Sequence, residues 1–336
     1  MSTTSHDRAH GALLGLALGD ALGMPTQSLS RTSIRERYNR INGLVDAAPD
    51  QPIAPSMPAG SITDDTEQAI ILAHLLIEGG GHVDPLALAN ALLDWERSMI
   101  RRGSLDLLGP STRLALRNLQ DGIPPDETGS TGTTNGAAMR IAPVGIAYRP
   151  GAALEDAVVE SGRVTHNTGL GIAGASAVAT AVSSGIEGLS PHEAVDRAIS
   201  AARRGAARGH WVAGASIAER TAAFRDSIRS LADDAFDAFL YDVVGSSVQS
   251  QESVVCALLI ADHDASDPWR ALTRAASLGG DTDTIAAMTG AILGACHGTA
   301  AFPANATQKV ESISGLSLHP ITDQLLTLRD EVDHLD

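Results

Sequence analysis

Apolar residues recur at helical spacing along almost the whole chain. Leu13, Leu14, Ala17 and Leu18 fall on one face of a first helix, followed by the turn signal Gly19 to Gly23 and Pro25. Residues 39–60 carry Pro49, Pro52, Pro55 and Pro58 with little periodicity and read as a loop. From about Thr63 a helix carries Ile70, Ile71, His74, Leu75 and Glu78. Asp84-Pro85 opens another through Leu86, Leu88, Leu92, Trp95 and Met99, with an acid before it and proline at the first helical position. A helix near 111–120 precedes the irregular stretch DGIPPDETGSTGTTNG, which leads into a small-residue helix, AAMRIAPVGIAY. Helical spacing returns near 152–162, 168–184, 191–205, 213–231, 234–244, 249–262, 268–276, 284–296 and 320–334. Alternating strand-type runs are scarce, and no fixed-period repeat or charged linker divides the chain. The pattern predicts an all-α fold with a single domain over residues 1–336.

Composition narrows the possibilities. At 336 residues with 43% hydrophobic content, the chain can bury a large core. Aromatics make up only 3%, while Ala, Gly and Leu abound, which suits helices that approach one another over small side chains. The net charge of −16, from 24 basic and 40 acidic residues, argues against a nucleic-acid or anionic-membrane partner, because phosphate neutralisation needs clustered Lys and Arg. A negatively charged ligand would need a metal, backbone N–H groups or a local arginine. The N-terminal MSTTSHDRAH has no apolar signal core, and no segment reaches the roughly 20 apolar residues of a membrane span, so a cytoplasmic location is expected. Cys256 and Cys296 each sit in an Ala/Leu/Ile-rich helical stretch and read as buried thiols.

Two acidic clusters carry the candidate chemistry. Thr63, Asp64, Asp65 and Thr66 precede one apolar run; Asp281, Thr282, Asp283 and Thr284 precede another. Ser61-Ile62-Thr63-Asp64 reads simply as an N-cap with an acid three residues on, worth about 0.5–2 kcal/mol to its helix. The later cluster could likewise cap a helix and complement its dipole. One cap, however, needs one oxygen, and here four carboxylates and several hydroxyls are present. Four neighbouring carboxylates would repel unless divalent cations offset them, and hard oxygen donors suit Mg²⁺, Mn²⁺ or Ca²⁺ better than zinc. If the clusters meet, two metals about 3.5–4 Å apart could activate a water and orient a substrate oxygen, which points to hydrolysis of a phosphoester, amide or glycoside.

Taken together, GALLGLALGDALGMPTQ, GSITDDTEQAI, TNGAAMRIAPVG, VTHNTGLGIAGA, QESVVCALLIA and ASLGGDTDTIAAMTGAILGA resemble the ADP-ribosylglycohydrolase family in order and spacing, over about residues 8–300. The resemblance implies a compact all-helical domain with two divalent cations, Mg²⁺ or Mn²⁺, in a cleft. By motif match, Thr63, Asp64 and Asp65 would supply ligands from one side and Asp281, Asp283 and Thr284 from the other. Asp65 or Asp283 would handle the proton. The loop Gly132-Thr133-Thr134-Asn135-Gly136 opens a helix, so its N–H groups and the helix dipole would hold a diphosphate. His166, Gly280 and Gln27 would also face substrate, Arg140 would pair with a phosphate or a cluster aspartate, and Asp20 would orient loops near the metals.

Gln27 is a departure, because family hydrolases usually carry glutamate a few residues after GDALG. Glutamine neither takes a proton at neutral pH nor binds metal as an anion. Three readings therefore stand. The first is a dinuclear-metal glycoside hydrolase releasing ADP-ribose or a related ribosyl group from an N- or O-linked acceptor, with an ADP-ribosylated protein or a small ribosyl-containing molecule as partner. The second is a hydrolase of a small nucleoside-like ribosyl metabolite. The third is a non-catalytic binding or structural member, against which the retention of all six candidate ligands weighs.

Overall fold

The computed structural model describes residues 4–332. Among them, eighteen α-helices and no named strand occur, with three isolated bridges as the only β-type pairing. The all-α expectation therefore holds, and one continuous apolar core runs through the helices.

At the centre the N-terminal helix Ser5–Gly23 crosses the late helix Thr282–His297. Glycines spaced four apart make the crossing unusually close. A Cβ on Gly15 would lie 2.1 Å from Gly290 O, one on Gly19 2.1 Å from Ala286 O, and one on Gly23 2.3 Å from Asp283 Cα. Side chains on these faces would separate the helices, so small residues here replace side-chain packing with backbone contact. The crossing has a consequence for chemistry. It holds the C-terminal end of the first helix, with Asp20, against the N-terminal end of the second, with Asp281 and Asp283. The apolar helix Gly169–Ile186 passes beside this pair; its length and composition would allow a membrane span, but 94% of it is buried inside the protein.

Several elements depart from the periodicity. The expected helix through AAMRIAPVGIAY is two short ones, Gly136–Met139 and Ala142–Ala147. Pro143 has no N–H to give Met139, so the turn must restart around Arg140. Arg31–Tyr38 and Ala304–Ser314 are helices that the apolar pattern did not announce; the first buries only Ile34 and the second only Ala306 and Val310. The first of these relies on its Ser30 cap, which accepts from Ser33 N. The helix expected over 213–231 spans Ile217–Ile228, starting from the Ser216 cap. The loop over 39–60 has no regular element. The last helix runs Leu318–Val332, and positions 333 and 334 lie outside the described residues. Cys256 and Cys296 are free and buried, as expected. Burial pushes the Cys296 thiol up to about 12 and the Cys256 thiol higher still.

Candidate active site

The two acidic clusters meet. Thr284 Oγ1, at the start of the helix Thr282–His297, lies 3.3 Å from Asp65 Oδ2 at the start of the helix Asp64–Glu78. Both helices aim their N-termini at one cavity of about 260 Å³.

Neither cluster caps its own helix with its aspartates. Thr63 occupies the N-cap position of Asp64–Glu78 without a side-chain cap bond, which corrects the reading of Ser61 as the cap. Asp20, from the N-terminal helix, does that work. Its carboxylate accepts from Thr63 N at 3.0 Å, Thr63 Oγ1 at 2.7 Å, Thr66 N at 3.1 Å and Thr66 Oγ1 at 2.5 Å. Asp281 holds the N-cap position of the other helix, also without a cap bond, and its Oδ2 accepts from Asn135 Nδ2 at 2.5 Å. Asp64, Asp65 and Asp283 are thereby released from helix capping.

Their electrostatics are unfavourable as they stand. Burial raises all three carboxyls well above the ordinary range, and neighbouring aspartates push them further: chiefly Asp106 on Asp64, Asp283 on Asp65 and Asp281 on Asp283. Burial likewise lifts Asp20 and Asp281 to about 6 and Asp106 to about 7. Asp65 Oδ1 and Asp283 Oδ1 are buried with no hydrogen-bond partner. Unpaired anionic oxygens in a carboxylate cluster are the donor chemistry that a hard divalent cation satisfies. Among the described residues, no three His, Cys, Asp or Glu side chains already form a metal cage. The fit thus rests on unsatisfied oxygens and mutual repulsion, and a cation would have to draw the carboxylates inward.

The cavity sorts the candidate residues. Gln27, Asp64, Thr134, Asn135, Gly136, Asp281, Asp283 and Thr284 line it. Thr63 and Asp65 lie behind that surface, fully buried. Gly132, Thr133, His166 and Gly280 are absent from its lining. Gly280, at φ +78°, leaves no room for a Cβ beside Ser246 O, and its backbone pairs with Ser28 and Leu29. Thr133 Oγ1 donates to Gln249 at 3.0 Å. His166 is fully buried and bonds Thr134 Oγ1 through Nε2 at 3.1 Å. Burial, with the charge of Arg140, holds this imidazole well below its usual pKa.

The loop expected to hold a diphosphate has three of its N–H groups already engaged. The helix after Asn135 is a single turn, and the N–H groups of Gly132, Thr134 and Asn135 already donate to Gly129 O, Ser111 Oγ and Val248 O. What the loop offers the cavity from Thr134 is its hydroxyl. Arg140, expected to meet a phosphate or a cluster aspartate, is fully buried, outside the cavity lining, and bonds Gln68 and Thr165. Gln27 Nε2 is buried without a partner at the cavity edge.

Two lining residues escaped sequence reasoning. Asp106 accepts from Asp64 N at 3.0 Å and adds a further carboxylate to the cluster. Its signal was an acid isolated among Leu105, Leu107 and Leu108. Gln68, four residues after Asp64, donates to Asp64 Oδ2 at 2.9 Å; the helical spacing was the available signal.

The model of the ADP-ribosylglycohydrolase family matches residues 1–334, and the chain belongs to that family, which supports a hydrolase acting on ADP-ribosyl linkages. The chain is 34% identical to YegU of Escherichia coli, covering 97% of this chain and 98% of that one. It is 30% identical to ADP-ribosylarginine hydrolase Tri1 of Pseudomonas putida, over 98% of this chain and 81% of the relative. A solved structure described as an ADP-ribosylglycohydrolase-related protein complex shares the fold at TM-score 0.67 and 24% identity, covering 98% of this chain and 99% of that one.

Proposed function

We propose that the protein is a divalent-metal-dependent glycoside hydrolase that releases ADP-ribose from an N- or O-linked acceptor, using two Mg²⁺ or Mn²⁺ ions. The observation that carries the reading is the meeting of the two acidic clusters at Asp65 and Thr284, with Asp65 Oδ1 and Asp283 Oδ1 unsatisfied beside it. Asp64, Asp65, Asp281 and Asp283, with the hydroxyls of Thr63 and Thr284, would hold the ions. When bound, such ions offset the carboxylate charge, acidify water and orient a substrate oxygen.

The chain's own groups supply the rest. Asp283 lines the cavity and Asp65 does not, so Asp283 takes the proton of the attacking water, as a carboxylate within reach of a bound substrate. Water oxygen bonds the anomeric carbon as the bond to the acceptor breaks, and the acceptor leaves with the proton that Asp283 took from the water. Asp106 and Asp281 shape the same floor. The Thr134 hydroxyl and the Asn135-Gly136 segment face the substrate from the opposite loop. Leu105, Leu107 and Val248 give the cavity an aliphatic wall for an apolar part of the substrate.

Gln27 supports a second reading, a small ribosyl metabolite as substrate, because an uncharged amide with no partner stands at the cavity where a carboxylate would otherwise bring acidity. The name of the Pseudomonas relative favours arginine as acceptor in the first reading. Incubating the purified protein and Mg²⁺ or Mn²⁺ with ADP-ribosyl-arginine, ADP-ribosyl-serine, O-acetyl-ADP-ribose and simple nucleosides separates the two. Release of ADP-ribose supports the first reading, nucleoside cleavage alone supports the second, and turnover of none refutes both.

A further inference from the structure

Arg140 is a buried cation with no carboxylate in direct contact, linked instead to two neutral arms. Nη1 donates to Gln68 Oε1 at 3.1 Å, and Nη2 donates to Thr165 Oγ1 at 2.7 Å. Each arm ends at the cavity. Gln68 Nε2 reaches Asp64 Oδ2 at 2.9 Å; Thr165 Oγ1 reaches His166 Nδ1 at 2.8 Å, and His166 Nε2 reaches Thr134 Oγ1 at 3.1 Å. Asp64, Gln68 and Thr134 line the cavity.

A guanidinium can only donate, and that fixes the first bond of each arm; burial of the groups beyond sets the rest. On the first arm Gln68 must present its oxygen to Arg140, so its NH₂ points to Asp64. One carboxylate oxygen of Asp64 is then occupied and the other is left for the cavity. On the second arm the fully buried Thr165 oxygen accepts from Arg140, and His166 Nδ1 is the one acceptor within its reach among the described residues, so keeping that buried proton bonded sends it to His166 Nδ1. Neutral His166 must then carry its proton on Nε2 and donate it to Thr134 Oγ1. The Thr134 oxygen accepts, and its own proton remains free.

We propose that Arg140 is a positioning residue that sets the hydrogen-bond polarity of both cavity walls, an acceptor at Asp64 and a free hydroxyl donor at Thr134 aimed at an anionic oxygen of the substrate. The guanidinium stays protonated at neutral pH, since burial lowers it only to about 10. Hydrogen bonds of this kind reinforce one another where water is excluded. Identification of the anionic oxygen with the diphosphate of ADP-ribose rests on the hydrolase reading; the polarity of the arms does not.

The test has one part independent of activity. ¹⁵N NMR of histidine-labelled full-length protein should show His166 as the neutral Nε2–H tautomer throughout the neutral pH range. An Nδ1–H tautomer or an imidazolium there would overturn the proposal. In Arg140→Lys, where one ammonium cannot hold both arms, and in the near-isosteric Thr165→Val, the single tautomer should give way to a mixture. Retention of the wild-type tautomer in both would also overturn it.

The second part measures ADP-ribose affinity with Mg²⁺ by calorimetry. Thr165→Val and Thr134→Val should each weaken binding roughly tenfold, and the double variant should be no weaker than either single one. Thr134→Ser should restore wild-type affinity. Additive losses would show that the arm does not act through Thr134. Failure of the wild type to bind ADP-ribose would refute the hydrolase reading, while the tautomer would still decide the role of Arg140.

Discussion

Gly23 lies so close to Asp283 that a Cβ on the glycine would stand 2.3 Å from the aspartate Cα. The contact ends a row of close approaches between the helices Ser5–Gly23 and Thr282–His297, and it sets Asp20 beside the acids of the second helix. Packing and chemistry therefore share one device. Shaving the interface to glycine lets two distant acidic segments converge, and the convergence is what creates the site.

Enlarging that interface should cost stability. Gly19→Ala is expected to destabilise the fold by about 1–3 kcal/mol, because the added methyl meets Ala286 O of the facing backbone and one helix must shift. Urea denaturation measures this, and a change under about 0.5 kcal/mol would mean that the helices have slack.

Asp20 and Asp283 should behave oppositely. Asp20→Asn removes an acceptor from a carboxylate on which four donors converge, and should destabilise the fold by about 1–3 kcal/mol. Asp283→Asn removes a buried charge with an unsatisfied oxygen, so without metal it should leave stability unchanged or raise it by about 1 kcal/mol, while hydrolysis falls at least a hundredfold. Thermal melts with chelator, paired with turnover assays, check both halves.

The fold should weaken in mild acid through His10. Burial, then the charges of His319 and His6, lower its pKa from 6.5 to about 4; His319 stacks on it at 3.7 Å, and the acids Asp7 and Asp323 oppose the shift. The folded state therefore binds fewer protons than the unfolded one between those values. This contribution is fully present above about pH 6.5 and is lost as pH falls toward 4. The loss between pH 7 and 5 should be about 1–2 kcal/mol greater in wild type than in His10→Gln. Urea midpoints for the two proteins at both pH values decide; equal losses would show that His10 is not involved.

Gln27→Glu should redirect the enzyme. A carboxylate in place of the unpartnered amide could accept from a ribosyl hydroxyl or join the cation site. The expected result is at least a tenfold rise in kcat/KM toward ADP-ribosyl-arginine, about 1.4 kcal/mol of transition-state stabilisation. Equal values for the two forms at the same metal concentration would mark Gln27 as a bystander.

The fold class was legible because helical periodicity and small residues leave little room for sheet. The helices Arg31–Tyr38 and Ala304–Ser314 were not legible, since a helix that buries one or two residues has no apolar stripe to read. The acidic clusters stood out as more carboxylates than capping requires, yet their meeting depends on a backbone contact at glycines that no periodicity reports. Asp106 was hidden as a single acid among leucines, and the capping role of Asp20 was hidden because it acts on another helix. His166 and Arg140 illustrate a different limit. Their residue types suggested contact with a ligand, whereas burial places both behind the residues that line the cavity.

The central claim is that the joined clusters hold divalent cations for hydrolysis, and Mn²⁺ titration by isothermal calorimetry tests it most directly. The wild type should bind two ions per chain, Asp64→Asn and Asp283→Asn should each lose at least one, and saturating metal should raise the melting temperature of the wild type by several degrees and of each variant by less. No binding to the wild type, or equal binding by all three proteins, would contradict the account.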